Sequence, residues 1–238
     1  MKSSLILPLA AALAFGIASC SKPAGESSSG GAGGGSAGPA DGVPLKTELP
    51  SELSVGTPKD LSKTPNLDPN KKPTPIMVPK DSAVISKEKT VTSSDKEEPF
   101  EGELAMITDG EKDGNEGYSV ILSEGPQWVQ IDLGASSLVD AVVLWHYFKN
   151  DRVVNGVVVQ VSDDAEFKTG VTTIFNNDVG NTCGQGAGSD KAFIGTYMGK
   201  QVSGNGAKGQ FVRCWSYGST DNRMNEYIEA EVWGRPAK

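Results

Sequence analysis

The sequence predicts an all-β domain, either a sandwich or a barrel, over the C-terminal part of the chain. From about residue 83 onward, short apolar runs are separated by turn signals such as Asn155-Gly156 and the stretch 203–206, which is typical of antiparallel β-structure. No segment shows a sustained period of about 3.6 residues, so the pattern indicates no long amphipathic helix. The roughly 150 residues of this part are enough to enclose one hydrophobic core.

Five segments carry the strand pattern. Residues 127–133, 211–216 and 227–233 alternate apolar and polar side chains, which predicts strands with one buried face. Residues 138–145 and 157–161 are almost continuously apolar and rich in β-branched side chains, which predicts strands buried on both faces. Cys214 shares an apolar face with Val212, so we expect a buried, inert thiol there; a disulfide with Cys183 is the alternative.

The N-terminus has the parts of a secretory signal. Lys2 is followed by an apolar run from residue 5 to 17, which is shorter than the roughly 20 residues of a membrane-spanning helix. The run ends in Ile-Ala-Ser-Cys at 17–20, which resembles the lipobox of bacterial lipoproteins, where cleavage leaves a lipidated cysteine. We therefore expect a signal peptide over 1–19, lipidation at Cys20 and a lipid-anchored protein of the bacterial cell envelope. The residue after the cysteine is Ser21 and not an aspartate, which favours sorting to the outer membrane in the lipoproteins that the chain resembles. The alternative is an ordinary signal peptide that ends in cysteine.

Residues 20–82 predict a disordered linker rich in Gly, Ser and Pro. Residues 21–44 are almost all Ser, Gly, Ala and Pro, a composition that cannot bury enough apolar surface to fold. Residues 44–79 are dense in proline, which favours extended polyproline II and excludes long helices. Such a segment would hold the following domain away from the membrane. The alternative is a tail that docks on the domain, locally through Ile76, Met77 and Val78.

The formal net charge is −8, and the residues after 100 carry it. An acidic domain repels phosphate backbones, and no basic stripe interleaved with aromatic residues occurs, so nucleic acid is excluded as an expected partner. Anionic lipid headgroups are disfavoured for the same reason, which leaves membrane attachment to the N-terminal lipid.

The strand segments and their turns resemble discoidin-type domains, also called coagulation-factor C-type domains. The resemblance covers roughly residues 83–235 and rests on several short segments in order. They are 91–95 (Val-Thr-Ser-Ser-Asp), 107–110 (Ile-Thr-Asp-Gly), 128–134 (Trp-Val-Gln-Ile-Asp-Leu-Gly), 157–164, 211–213 and 227–234. The resemblance implies an eight-stranded jelly-roll β-sandwich of the galactose-binding-like fold, whose members bind glycans, lipid headgroups or proteins.

The resemblance also implies a structural calcium site. Carried over by motif, its carboxylate ligands would be Asp109 and Glu229, and carbonyl groups of the surrounding loop would complete the shell. Ca²⁺ accepts six to eight oxygen ligands, including carbonyls of a tight turn. The alternative is that Asp109-Gly110 is only a turn and that Glu229 is a solvated carboxylate.

The candidate ligand-binding residues follow the strand at 138–145. They are His146, Tyr147, Phe148, Asn150 and Arg152. Sugar-binding relatives of the fold place an aromatic ring against the apolar side of a pyranose, and planar polar groups bind its hydroxyls. The alternative is that His146 and Tyr147 pack at one end of the sandwich and that Arg152 pairs with Asp151.

Catalysis has little support in the sequence. The single histidine has no Ser or Cys nucleophile motif beside it, and no Gly-rich loop opens a helix. We therefore expect a non-catalytic binding module, with a glycan as the first candidate partner. The alternative is a structural or protein-docking component of an envelope assembly; crosslinking in cells would distinguish them, since stable protein partners favour the second.

Overall fold

The computed structural model describes residues 41–52, 59–115 and 117–237. These residues form short strands, three long strands and one 3-10 helix, and none of them forms a helix long and apolar enough to cross a membrane. The elements are β1 (Val43–Pro44), β2 (Leu67–Asp68), β3 (Met77–Val78), β4 (Ala83–Val84), β5 (Thr90–Ser93), the 3-10 helix (Leu104–Thr108), β6 (Val120–Leu122), β7 (Gln127–His146), β8 (Val158–Ser162), β9 (Thr172–Asn176), β10 (Ala192–Phe193), β11 (Lys200–Ser216) and β12 (Asn225–Pro236).

The long strands β7 and β11 run antiparallel and take part in both layers of a sandwich. Near one end Trp128 lies opposite Trp215, and here β5 pairs with β7 while β8 and then β9 extend the layer beyond β11. Near the other end Leu144 lies opposite Lys200, and here β12 pairs with β7 and carries β4 and β6. A register shift in β11 between Gly209 and Phe211 separates the two parts, as expected where a strand bends from one layer to another.

The two layers enclose one apolar core. Val129 and Ile131 from the first half of β7 meet Val142 and Leu144 from the second half in the same buried cluster. The intervening Val143 belongs to a second cluster on the outer face of the layer. The segment 138–145 is thus buried on both faces as predicted, and the predicted all-β jelly-roll sandwich is confirmed.

A segment preceding the sandwich covers the outer face of the layer formed by β12 and the second half of β7. We call residues 43–48 and 67–79 the strap. Its strands β1 and β3 pair with each other, and Leu45 and Val78 pack in the outer cluster with Ala141, Val143 and Trp145. A sheet face with three such side chains requires cover, which the apolar residues of the strap provide.

The structure revises the linker predicted over residues 20–82. Residues 1–40 and 53–58, which include the predicted signal peptide and Cys20, lie outside the described residues. The described part of the linker lies on the sandwich, and it is anchored by more than apolar contact. β2 pairs with β10 in parallel, Thr47 donates a hydrogen bond of 2.7 Å to Glu231 Oε2, and Lys71 pairs with Asp151 at 2.8 Å. The docking expected as the alternative is therefore the observed arrangement, and it extends well beyond residues 76–78.

Leu45→Ala is expected to lower the free energy of unfolding by about 2 kcal/mol, the lower end of the range for a buried leucine, because the side chain is 6% exposed. Leu49→Ala is the matched control; its side chain is 49% exposed, so the change should stay within about 0.5 kcal/mol. Urea unfolding followed by tryptophan fluorescence measures both, since Trp145 and Trp233 lie in the cluster that Leu45 joins. Equal losses for the two variants would contradict a docked strap.

Candidate functional site

His146, the last residue of β7, is a buried packing residue. Its side chain is 3% exposed and its ring lies 4.8 Å from that of Tyr227 between centroids, tilted by 43°. Neither ring nitrogen has a hydrogen-bond partner among the described residues. Burial lowers the pKa of His146 to about 4, so the imidazole is neutral at pH 7. As placed, His146 does not reach a ligand at the surface.

Arg152 joins two loops at the same end of the sandwich. Its guanidinium donates to Asn150 Oδ1 at 2.6 Å and pairs with Glu226 at 2.5 Å and Asp221 at 2.7 Å. The charged group also lies 4.5 Å from the centroid of the Tyr147 ring. Each of the three guanidinium nitrogens therefore donates to a different side chain. Arg152 therefore fixes the loop after β7 to the start of β12 and to the loop before it, and few of its N–H groups are left for a ligand.

Asp151, the partner expected for Arg152 in the packing alternative, pairs with Lys71 of the strap instead. Lys71 Nζ donates hydrogen bonds to both carboxylate oxygens of Asp151, at 2.8 and 2.9 Å. The packing alternative for His146 is otherwise what the structure shows, with Glu226 and Asp221 in place of Asp151 as the partners of Arg152.

Phe148 is the predicted ligand-binding residue that lines an open cleft. This cleft, which we call the aromatic cleft, has a volume of about 270 Å³. The strap forms one wall and the loop between β10 and β11 forms another. The residues lining it include Lys71, Lys72, Phe148, Asp151, Thr196, Tyr197 and Met198. Tyr147 and Asn150 are half-buried beside Arg152 and do not line it.

A second cleft, which we call the lysine cleft, lies on the other side of the Lys71-Lys72 pair. Its volume is about 260 Å³, and Lys71, Lys72 and Thr196 line both clefts. Its remaining walls include Asp68, Asn70, Thr74, Phe193, Lys200 and Gln201. Sequence reasoning missed both clefts because the strap residues that build them were predicted to be disordered; the apolar triplet 76–78 was the available signal.

The loop between β10 and β11 that lines both clefts is held against the sheet by a glycine. Gly199 has φ of +68°, and a Cβ at this position would lie 2.7 Å from the ring of Trp145 and 2.9 Å from Val143. Trp145 Nε1 in turn donates a hydrogen bond of 2.9 Å to the carbonyl oxygen of Tyr197. The close approach of this backbone to the outer cluster therefore requires a residue without a side chain.

Asp109 and Glu229, the predicted calcium ligands, belong to one loop–strand contact. The Gly110 N–H donates to Glu229 Oε2 at 3.1 Å, while the exposed Asp109 accepts a hydrogen bond from the Glu111 N–H at 2.7 Å. Glu229 is 2% exposed. Burial raises the pKa of Glu229 to about 8, and the negative charges of Asp109 and Glu231 add to this effect.

This environment fits a hard cation in one respect and not in another. A buried carboxylate with a single backbone donor is a group that a nearby cation would stabilise. Among the described residues, however, no three Asp, Glu, His or Cys side chains form a metal-binding group, so most ligands would have to be backbone carbonyls. Lys112 already pairs with Glu231 at 2.6 Å.

Cys183 and Cys214 are free and buried. Burial raises the pKa of each thiol to about 12, and the charge of Asp178 adds to the effect at Cys183. Neither thiol is a nucleophile at neutral pH. The expectation of an inert thiol at Cys214 is confirmed, and the alternative disulfide does not form.

Residues 106–190 match the coagulation-factor F5/F8 type C family model described as "NedA-like, galactose-binding domain". No curated protein matches the sequence. Similar solved structures include a truncated AlyQ with a CBM32 module and alginate lyase domains (TM-score 0.48, 16% identity, 66% of this chain and 34% of that chain). Others are the fucose-binding module SpX-3 of Streptococcus pneumoniae (0.43, 16%, 63% and 96%) and chitosan-binding module 1 of a Paenibacillus sp. IK-5 chitosanase/glucanase (0.41, 22%, 63% and 98%).

The chain spans about a third of the truncated AlyQ and 15% of a family 89 glycoside hydrolase from Clostridium perfringens. The family match begins in the 3-10 helix and extends to the turn before β10, so it includes the first half of the sandwich and the loop with His146 and Arg152. The match and the strand order described above agree with each other. The β-sandwich has the galactose-binding-like fold, and its residues 106–190 are similar to F5/F8 type C domains.

Proposed function

We propose that this protein is a non-catalytic carbohydrate-binding module and that the aromatic cleft binds the glycan. The observation that carries the proposal is the cleft itself, in which Phe148 and Tyr197 stand beside Asp151, Thr196 and Lys72. A pyranose has an apolar face and a rim of hydroxyls, so it requires aromatic surface and a few fixed polar groups together. The match to a galactose-binding domain model supports a sugar as the ligand class.

The roles of the five residues first expected to bind ligand differ in this proposal. Phe148 is 5% exposed and forms the floor of the cleft, while the half-buried Tyr197 offers more of its ring to the sugar. Arg152 acts as a positioning residue, because its ion pairs hold the loop that carries Phe148. His146 is buried and packs against Tyr227 where that loop begins. Tyr147 and Asn150 support Arg152 through the ring contact and the side-chain hydrogen bond.

Tyr197→Ala is expected to weaken binding of galactose-containing glycans by roughly tenfold, equivalent to about 1.4 kcal/mol, because it removes aromatic surface from the cleft. The hydrogen bond from Trp145 goes to the backbone of this residue and is kept. Tyr118→Ala is the matched control, a tyrosine that is 46% exposed and lines neither cleft. A glycan array followed by isothermal titration of the best ligand measures the effect. An array without signal, with and without Ca²⁺, would contradict the proposed function.

We also propose a structural Ca²⁺ held by Asp109, Glu229 and carbonyl groups of the loop after the 3-10 helix. When bound, the ion would neutralise the carboxylate that burial disfavours. Calcium is therefore expected to raise the melting temperature of chelated wild-type protein and to leave that of Glu229→Gln unchanged. Glu111→Gln, an exposed change in the same loop, should respond like the wild type. A calorimetric titration that shows no heat of binding up to millimolar Ca²⁺ would contradict the proposed calcium site.

We propose, from the sequence of residues 1–21, that Cys20 is lipidated and anchors the module in the bacterial cell envelope, at the outer membrane. The partners are then a glycan and, through the lipid, the membrane. A Cys20→Ser chain should leave the membrane fraction of cells; its retention there would contradict the anchor.

A further inference from the structure

Lys200 is a partly buried cation at the wall of the lysine cleft. It is the first residue of β11, and its Nζ lies 5.0 Å from the centroid of the Phe175 ring and 5.2 Å from that of Phe193. The two rings meet edge to face, 6.1 Å apart. Contact with ring faces replaces part of the hydration of an ammonium group but does not neutralise its charge.

The carboxylates near Lys200 do not form an ion pair with it. Asp190 and Asp68 are close enough for their charges to raise its pKa, but burial outweighs them and holds the pKa of Lys200 below its usual value. Among the described residues, no carboxylate lies within 4.0 Å of its Nζ. A cation that is desolvated and unpaired costs free energy in the free protein. That cost would be offset by an anion entering the cleft.

The cleft around Lys200 has the size and the polar groups of a small-ligand site. Its volume of about 260 Å³ is just below the range of roughly 300–1,000 Å³ for drug-sized ligands, which suits a single sugar ring. Thr74, Thr196 and Gln201 offer hydroxyl and amide groups at its walls, and Lys72 adds a second ammonium. Asp68 is the one carboxylate among the residues that line this cleft, so the two unpaired lysines, Lys72 and Lys200, give the cleft a net positive charge.

We propose that the lysine cleft binds the anionic group of an acidic sugar, with Lys200 as its charge partner and the ring of Phe193 beside the sugar. The inference rests on the proposed function, since it makes the acidic sugar one unit of the glycan whose neighbouring unit lies in the aromatic cleft. The two clefts share Lys71, Lys72 and Thr196, so adjacent units of one chain can occupy them. The anionic group is a carboxylate, as in a uronate, or a sulfate.

Titration of the full chain with galactose, galacturonate and galactose 6-sulfate tests the assignment. At low salt, at least one of the two acidic sugars is expected to bind roughly tenfold more tightly than galactose, and the difference should shrink as NaCl is raised because salt screens the contact. Which acidic sugar shows the gain identifies the anion as carboxylate or sulfate. Lys200→Gln should abolish the gain and leave galactose binding as it was.

Lys208→Gln is the matched control, because Lys208 is an exposed lysine of the same strand. Lys200→Gln removes an unpaired charge, so it should fold, and a thermal melt at or above that of the wild type would establish this. Galactose binding without any preference for the acidic sugars, or a preference that survives Lys200→Gln, would overturn the inference and leave the proposed function standing. Failure of all three sugars and of the array would overturn both.

Discussion

Arg152→Ala is expected to lower the free energy of unfolding by about 3 kcal/mol, at the lower end of the range for removing one partner of a buried ion pair. The guanidinium side chain is 6% exposed, and its removal leaves Glu226 without its cation, while Asp221 keeps its ion pair with Lys59. The lower end applies because Asp221 retains Lys59 and is partly open to solvent, where water replaces some of the lost contact. Tyr147 also loses the group that covers its ring, which adds lost packing to lost charge.

Arg223→Ala is the matched control for this loss. Arg223 pairs with Glu124 at 3.1 Å, but its side chain is 83% exposed, so the change should cost less than about 1 kcal/mol. Urea unfolding at pH 7 gives both values. If Arg152→Ala unfolded at the same urea concentration as Arg223→Ala, the two loops would not be joined as described. The comparison also sets the condition for binding studies, since a loss of glycan binding in Arg152→Ala must first be separated from a loss of folded protein.

Acidification from pH 7.5 to pH 5 is expected to cost the wild type about 2 kcal/mol more than His146→Phe. The pKa of His146 is about 4 in the folded protein and about 6.5 in the unfolded chain. Above pH 6.5 both states are neutral and the residue has no effect on the pH dependence. Below it the unfolded chain takes up a proton that the folded protein does not, so stability falls with pH and continues to fall down to about pH 4.

The single histidine of the chain makes this measurement specific. His146→Phe removes the side chain that titrates near pH 6.5 and leaves every carboxylate in place, so the two curves should converge above pH 7 apart from a constant offset. The offset reports the change in packing against Tyr227, and the slope reports the proton. Identical slopes between pH 7 and pH 5 would show that His146 is protonated in the folded protein, in conflict with its burial.

The strands of the sandwich could be predicted because each is encoded locally. The alternation at Val129 and Ile131 and the continuous run at Val142, Val143 and Leu144 are visible within a few residues of sequence, and both match the observed burial. The resemblance to discoidin-type domains added the order of the strands, which local patterns do not contain. The resemblance also predicted that Asp109 and Glu229 lie close together. The structure has a hydrogen bond between Gly110, the neighbour of Asp109, and Glu229, which is 119 positions further along the chain.

The strap and the clefts could not be predicted, because their causes lie far along the chain. The composition of residues 44–79 indicates an extended segment, but the docking of its described residues depends on an apolar outer face around Trp145. The partners of Arg152 lie 69 and 74 residues away in sequence, beyond any local pattern. Asp151, the neighbour that local reasoning offered, is taken by Lys71, itself in the segment predicted to be free.

The docked strap changes where the functional unit begins. A recombinant fragment trimmed to residue 83, the boundary that composition suggests, would leave Ala141, Val143 and Trp145 open to water and would delete one side of each cleft. Such a fragment would be prone to associate through the exposed sheet face. A negative result with this fragment in a sugar-binding screen would therefore not show that the intact protein binds no sugar.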